Sequence, residues 1–203
     1  MSARVKAPTV LERLGAHHVT DSFNCGDDKT ACAGINAFIR KEAKHAQEVR
    51  ENETWILRYA DDQVVRAYIT LAPGSFSPSE QEKTLKVEKW TIPITGMHIA
   101  FVGRDLSVKG GHWGEHLISW ALQRASGLQD TRLLHLFAYP DMCEYYRDNF
   151  GFQPFGQAKP DETGQPRQLM IYDVLAALLE EKGIPITPLV RVSSTHAKTD
   201  APN

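Results

Sequence analysis

Apolar residues recur at Ile35, Phe38, Ile39, Ala43, Ala46 and Val49, with Lys and Glu on the intervening positions. Steps of three and four predict one amphipathic helix over 35–51. The period then drops to two. Trp55, Leu57 and Tyr59 share one face of a strand over 54–60, Asp61-Asp62-Gln63 makes a turn, and 64–72 is a second strand, so the pair reads as a hairpin. Residues 73–88 are polar and rich in Gly, Ser and Pro, and their length suits a mobile lid. A third strand is expected over 97–106, through His98, Ile99, Ala100, Phe101 and Val102. Trp113, Leu117, Ala121 and Ala125 lie four apart, with Ile118 and Leu122 beside them, and predict a helix that ends near Gly127. A short buried strand is expected over 132–138. Asp141 is expected to cap a helix over 142–149 through its carboxylate. Strands over 150–155 and 168–172 and a last helix over 173–182 complete the pattern.

This order predicts a mixed α/β (α+β) domain around a partly antiparallel central sheet flanked by helices. A Rossmann fold does not fit, because the glycine turn follows several strands and no acidic residue ends a strand about twenty residues on. A P-loop does not fit either, because the GK[ST] triplet is missing. Residues 1–8 read as a flexible arm, 9–190 as a single domain, and the polar stretch 191–203 as a disordered tail.

At 203 residues, 42% hydrophobic and 24% charged, the chain can bury a core without disulfides or metals. Its formal net charge of −2 gives no general attraction to nucleic acid or to an anionic membrane. No apolar run approaches a membrane span, and the first residues lack the apolar core of a secretory signal, so a cytoplasmic location and no membrane partner are expected. The three cysteines, Cys25, Cys32 and Cys143, are odd in number and read as ordinary reduced thiols rather than a framework. The His17-His18 pair and His112 with His116 lack a third ligand, so no metal is expected.

The chemistry concentrates at Lys109-Gly110-Gly111-His112-Trp113-Gly114, between the third strand and the helix that follows. Glycines there let backbone approach a ligand, bare N–H groups point one way, and the helix N-terminus adds partial positive charge. Together they make a phosphate seat, to which Lys109 adds a charge. Tyr145 and Tyr146 lie on the short helix ahead of Gly151-Phe152. A fixed tyrosine can protonate a leaving group, and adjacent helical residues point about 100° apart, so one of the two reaches any given site.

These segments resemble the GNAT superfamily of acyl-CoA-dependent N-acetyltransferases over roughly residues 9 to 173. The family's Q/R-x-x-G-x-G/A turn falls on 109–114, and its aromatic pair with Gly-Phe on Tyr145-Tyr146 and Gly151-Phe152. The resemblance implies a GNAT-like fold and acetyl-CoA as co-substrate, its pyrophosphate on Lys109, Gly110, Gly111, His112, Trp113 and Gly114. It implies pantetheine contacts at Val102 and Arg104, and a proton donor at Tyr146 or, given a gap to Gly151 one residue longer than usual, Tyr145. Phe23-Asn24-Cys25-Gly26-Asp27 followed by Ile35-Asn36-Ala37-Phe38-Ile39 is similar to the opening of a branch that includes toxins acetylating aminoacyl-tRNA. That implies an aminoacyl-tRNA acceptor, a small ribbon-helix-helix antitoxin as partner, and a homodimer as in many relatives. The chain departs from the pattern at Lys109, at His112 (a glycine in the family) and by about five extra residues around Lys29 to Gly34. Its charge suits a small or protein amine better than RNA, although Arg40, Lys41, Lys44 and Arg50 would form a small basic face. Glu88 and His98 are the candidate acceptors for the amine's proton. The alternative reading is a non-catalytic GNAT-fold binding protein in which His112 crowds the seat.

Overall fold

The computed structural model describes residues 8–26, 32–76, 94–161 and 163–184. The arm, apart from Pro8, the tail, Glu88 and the loop beyond Phe76 lie outside the described residues.

An eight-stranded sheet forms the spine, with strands β1 (Thr9–Arg13), β2 (Glu53–Tyr59), β3 (Ala67–Phe76), β4 (Ile94–Arg104), β5 (Leu133–Ala138), β6 (Gln153–Pro154), β7 (Lys159–Pro160) and β8 (Pro166–Asp173). The spatial order is β1-β2-β3-β4-β5-β8-β6, with β7 on β8. Every pairing is antiparallel except β4 with β5. This is the expected partly antiparallel sheet.

Helix α1 runs over 32–48 as α-helical turns Cys32–Ala37 and Ala43–Glu48 joined by a π-helical turn, Phe38–Glu42. It begins three residues before the apolar pattern does. Phe38, Ile39 and Ala43 bury against Phe23, Ile56, Val65 and Tyr68 on one face of the sheet. Helix α2, Trp113–Ser126, covers the other face. Its residues Trp113, Leu117, Ala121 and Ala125 are all buried, and Gly127 ends it, as the spacing of four predicted. Helix α3 is Cys143–Phe150 and helix α4 is Val174–Glu181.

Several expectations are corrected. β1 has no apolar alternation and exists because its backbone pairs with β2 from Thr9↔Tyr59 to Arg13↔Trp55. β3 extends to Phe76, so residues 73–76 are strand and not lid. The strand expected over 150–155 shrinks to Gln153–Pro154, because α3 runs to Phe150 and Gly151 ends it in the left-handed region, φ 78°. Asp141 caps nothing: it sits inside a 3-10 turn, Pro140–Met142, and Met142 occupies the N-cap of α3 with no side-chain bond. Asp173 is the capping carboxylate the chain does use, accepting the Ala176 N–H at 3.0 Å to start α4.

Candidate functional site

Opposite Thr70 of β3 stands Phe101, and opposite Leu71 stands Ile99, so Ala100 is an extra residue in β4. A bulge bends its strand. Next to it the parallel β4–β5 ladder stops: its last pair is Ile99↔Leu136. β4 continues to Arg104 along β3, and β5 continues to Ala138 along β8. The two strands therefore part, and among the described residues β4 keeps one unpaired edge from the bulge to Arg104. Buried backbone needs partners, so this edge is a ready acceptor for an extended, amide-bearing ligand.

A cleft of about 420 Å³ opens where the strands part, within the range of small-molecule sites. Val102, Gly103 and Arg104 form one wall, Tyr145, Tyr146 and Met142 the opposite one, and Gly110, His112, Trp113, Gly114, Glu115 and Ile118 the head. Eight of the ten residues expected to hold coenzyme A or to donate the proton meet here. Lys109 and Gly111 do not line the cleft, and Arg104 takes the place expected of Lys109 as the cation facing it. Gly103, Glu115, Ile118 and Met142 were missed. Glu115 lies three residues beyond His112 and Ile118 four beyond Gly114, so helical spacing from the seat would have found them.

The glycine turn divides its labour. Gly110 has φ 86° and turns the chain. A Cβ on Gly111 would lie 2.5 Å from Trp113 Nε1, so Gly111 exists to let Trp113 fold inward, where its ring meets Tyr59 edge-on at 5.2 Å. A Cβ on Gly114 would meet nothing within 4 Å, which leaves a bare helix N-terminus facing the cleft. His112 stands where the motif it resembles has glycine, and it adopts a glycine-like conformation: φ 54°, ψ 20°, at the N-cap of α2. Histidine is among the residues that tolerate this region. Its ring is 79% exposed and its Nδ1 lies 2.6 Å from Glu115 Oε2. The expected crowding of the seat by His112 therefore has no backbone basis.

Tyr146 is buried against Phe150 and Phe152, and burial, then the neighbouring Tyr145, pushes its hydroxyl up to about 12. Tyr145 is half-buried and also raised, by burial first and the Glu115 carboxylate second, with Arg104 pulling the other way. Both rings line the cleft, and among the described residues neither hydroxyl is engaged in a hydrogen bond.

His98 is not among the residues lining the cleft; it sits in β4 one residue before the last β4–β5 pair. Its ring stacks on His135 at 4.6 Å and 3° and meets Phe137 edge-on. Burial lowers the pKa of both histidines, that of His135 to about 3 with help from His98, so both are neutral at pH 7.

The opening motif proves to be a clamp. Phe23 is fully buried against Tyr68. Asn36, also buried, accepts the Cys25 N–H at 2.9 Å and donates to Gly26 O at 3.3 Å. Asp105 accepts from Asn24 N and Ser107 N, tying this segment to the junction between β4 and the turn. Burial raises the Asp105 carboxyl, but these bonds outweigh it and hold the group below the usual carboxylate range.

The small basic face is reduced. Arg40 Nε donates to Phe23 O, and Lys44 Nζ donates to Ala16 O and His18 O, which leaves Lys41 and Arg50 exposed. His18 holds Gly15 N–H and Glu12, and among the described residues no group of three ligand-type side chains could hold a metal. A larger cavity of about 730 Å³ at the other end of the sheet has no glycine turn or tyrosine, and its Glu53 is already paired with Arg13 and Arg124.

A bulged β4 parting from a parallel β5, a glycine turn opening a helix, and a tyrosine-bearing helix across the gap define the GNAT fold, and this chain has it. Solved structures with this fold include AtaT complexed with acetyl-methionyl-tRNAfMet, 18% identical over 86% of this chain and 99% of that one, TM-score 0.65. A variant of the AtaT toxin bound to acetyl-CoA and the C-terminus of the antitoxin AtaR is 19% identical over 85% and 98%, TM-score 0.62. A bacterial toxin is 13% identical over 89% and 99%, TM-score 0.71. No family model matches the chain, and no curated protein matches it by sequence. Among the described residues no helix is long and apolar enough to cross a membrane.

Proposed function

We propose that this chain is an N-acetyltransferase that passes the acetyl group of acetyl-CoA directly to a primary amine, and that the amine is carried by an aminoacyl-tRNA. The observation that carries the reading is the parting of β4 and β5, with the bare end of α2 at the head of the gap and two tyrosines across it. In this reading the pantetheine arm lies along the unpaired edge of β4 as an added strand. The pyrophosphate rests on the N–H groups of Trp113 and Gly114 beside Arg104. A backbone N–H near Val102 polarises the thioester oxygen. His98, neutral and one residue before the strands part, takes the proton of the attacking amine. The nitrogen bonds to the carbonyl carbon, the carbon–sulfur bond breaks, and Tyr146 gives its proton to the departing thiolate. A hydroxyl raised to about 12 stays protonated at neutral pH, so it is in the right state to donate. Holding two reactants in register supplies most of the rate.

The aminoacyl-tRNA acceptor rests on the opening motif and on the likeness to AtaT, a protein seen with acetylated methionyl-tRNA. A small antitoxin as partner rests on the likeness to AtaT bound to AtaR, and a cytoplasmic location follows from where charged tRNA and acetyl-CoA are found together. Nothing in the geometry favours the non-catalytic alternative, since His112 keeps glycine's backbone and turns its ring to Glu115.

Titration calorimetry with acetyl-CoA tests the reading, with Gly114→Glu as control. Binding by the unaltered chain that is lost in Gly114→Glu supports it. Thiol release from acetyl-CoA is then followed with bulk charged tRNA and with a panel of small amines. Release with charged tRNA alone supports the acceptor, release with small amines alone overturns it, and no acetyl-CoA binding overturns the enzyme reading altogether.

A further inference from the structure

We propose that Cys25 and Cys32 are a modification site, a dithiol that a hydroperoxide oxidises to a disulfide. The proposal stands on local geometry and is independent of the acetyltransferase reading.

Six residues separate the two cysteines in the chain, yet their side chains are folded over one another. Cys25 Sγ lies 3.8 Å from Cys32 O, and Cys32 Sγ lies 3.5 Å from Cys25 O. Each thiol donates to the other residue's backbone carbonyl, which brings the two side chains together. The contact depends on Gly26: a Cβ there would sit 2.8 Å from Cys32 Sγ, so a bare α-carbon is what admits the second sulfur. The Asn36 clamp fixes Cys25 from the other side, holding its N–H and the Gly26 carbonyl. Cys32 itself falls within the extra residues that lengthen the opening motif in this chain. Both residues are half-buried, so a small oxidant reaches them where a large one does not. Cys143 is remote from the pair and bonds Tyr139 O instead.

Burial, followed by the adjacent Cys32 thiol, pushes the Cys25 thiol up to about 12, with Arg40 opposing. A thiol that holds its proton this firmly is a poor first nucleophile. Cys32 therefore reacts first. Its sulfur attacks a peroxide oxygen, an S–O bond forms, the O–O bond breaks, and the hydroxide released takes the thiol proton as water. Cys25 sulfur then attacks Cys32 sulfur, the S–S bond forms, the S–O bond breaks, and a second water leaves with the Cys25 proton. Two thiols lose two electrons and the peroxide becomes two waters.

The test uses the whole chain, reduced, desalted, treated with hydrogen peroxide and then unfolded in denaturant and alkylated with N-ethylmaleimide, beside an untreated control. Intact mass should show one label in place of three and a protein about 2 Da lighter before labelling. Lys29 lies between the two cysteines, so trypsin places them on separate peptides, and the disulfide should join these until dithiothreitol releases them. Cys143→Ser should show no label in place of two, with the same loss of about 2 Da and the same joined peptides. In Cys25→Ser a sulfenic acid on Cys32 should be trapped by dimedone, and in Cys32→Ser dimedone should leave Cys25 unlabelled. Three labels after peroxide overturn the proposal. So does sulfinic acid on either residue with the two peptides unjoined.

Discussion

The Nδ1 of His112 lies 2.6 Å from Glu115 Oε2, across the mouth of the glycine turn. The pair sets a residue in glycine's conformation against a carboxylate in the first turn of α2. In the proposed reading a diphosphate settles beside that carboxylate. Like charges oppose each other there, at a site 44% exposed and therefore partly screened. Glu115→Gln should tighten acetyl-CoA binding by about 2- to 5-fold at low salt, with the gain shrinking as salt is added. Calorimetric titrations at two ionic strengths check it. A weaker Kd in Glu115→Gln would mean that the carboxylate organises the turn through His112 rather than repelling the ligand.

Tyr145 and Tyr146 meet edge-on at 5.4 Å, and both line the cleft. Tyr146 is the more deeply held, locked by Phe150 and Phe152, while Tyr145 faces Glu115 and Arg104. A proton donor must be fixed, and its loss costs about 10²- to 10⁴-fold. Tyr146→Phe should lower kcat by that order and leave acetyl-CoA affinity within about 3-fold, since the ring stays in place. Tyr145→Phe should cost less than about 10-fold. If Tyr145→Phe is the more damaging, the roles are exchanged, as the longer spacing to Gly151 allows.

The parts of this protein that follow simple periods were legible in the chain. The spacing of four through Trp113, Leu117, Ala121 and Ala125 gave α2 and its buried face, and the alternation of Trp55, Leu57 and Tyr59 gave β2. The glycine run located the head of the cleft. What escaped was whatever tertiary contact decides. β1 has no apolar alternation and is placed by its pairing with β2. The Ala100 bulge changes no residue type, yet it bends β4 away from β5 and so opens the cleft. Lys109 and Arg104 are both cations near the turn, and only the fold tells which faces inward. Asp141 and Asp105 show the same limit: the first had the right spacing for a cap and makes none, and the second joins two segments 81 residues apart.

Asn36 supplies a prediction about stability. It is 1% exposed and satisfies one donor and one acceptor of the Cys25–Gly26 backbone. An apolar replacement leaves those groups buried without partners, which costs about 1–3 kcal/mol for each. Asn36→Leu should therefore destabilise the chain by about 2–6 kcal/mol in urea unfolding at an unchanged m-value. Asn36→Asp keeps the acceptor for Cys25 N–H and loses the donor to Gly26 O, and it should fall between the two. A loss under about 1 kcal/mol in Asn36→Leu would mean that water replaces the clamp.

His135 makes stability depend on pH. It is buried against His98, a Cβ on Gly74 would touch its ring at 2.4 Å, and its pKa falls to about 3, by burial first and then by His98. In the unfolded chain the same imidazole titrates near its ordinary value of about 6.5. Between those two values the unfolded state binds a proton that the folded state refuses, so stability falls as pH falls. At pH 7.5 both states are neutral and the contribution is intact. From about pH 6.5 downward it is lost at up to about 1.4 kcal/mol per unit, and the lowered pKa of His98 and His18 acts in the same direction. Urea midpoints measured from pH 7.5 to 5 should therefore decline in the unaltered chain. His135→Leu, which has no proton to refuse, should begin from a lower midpoint at pH 7.5 because the stack on His98 is gone, and then decline less steeply. Parallel slopes in the two proteins would place the proton uptake elsewhere and show that the folded chain accepts a charge at His135.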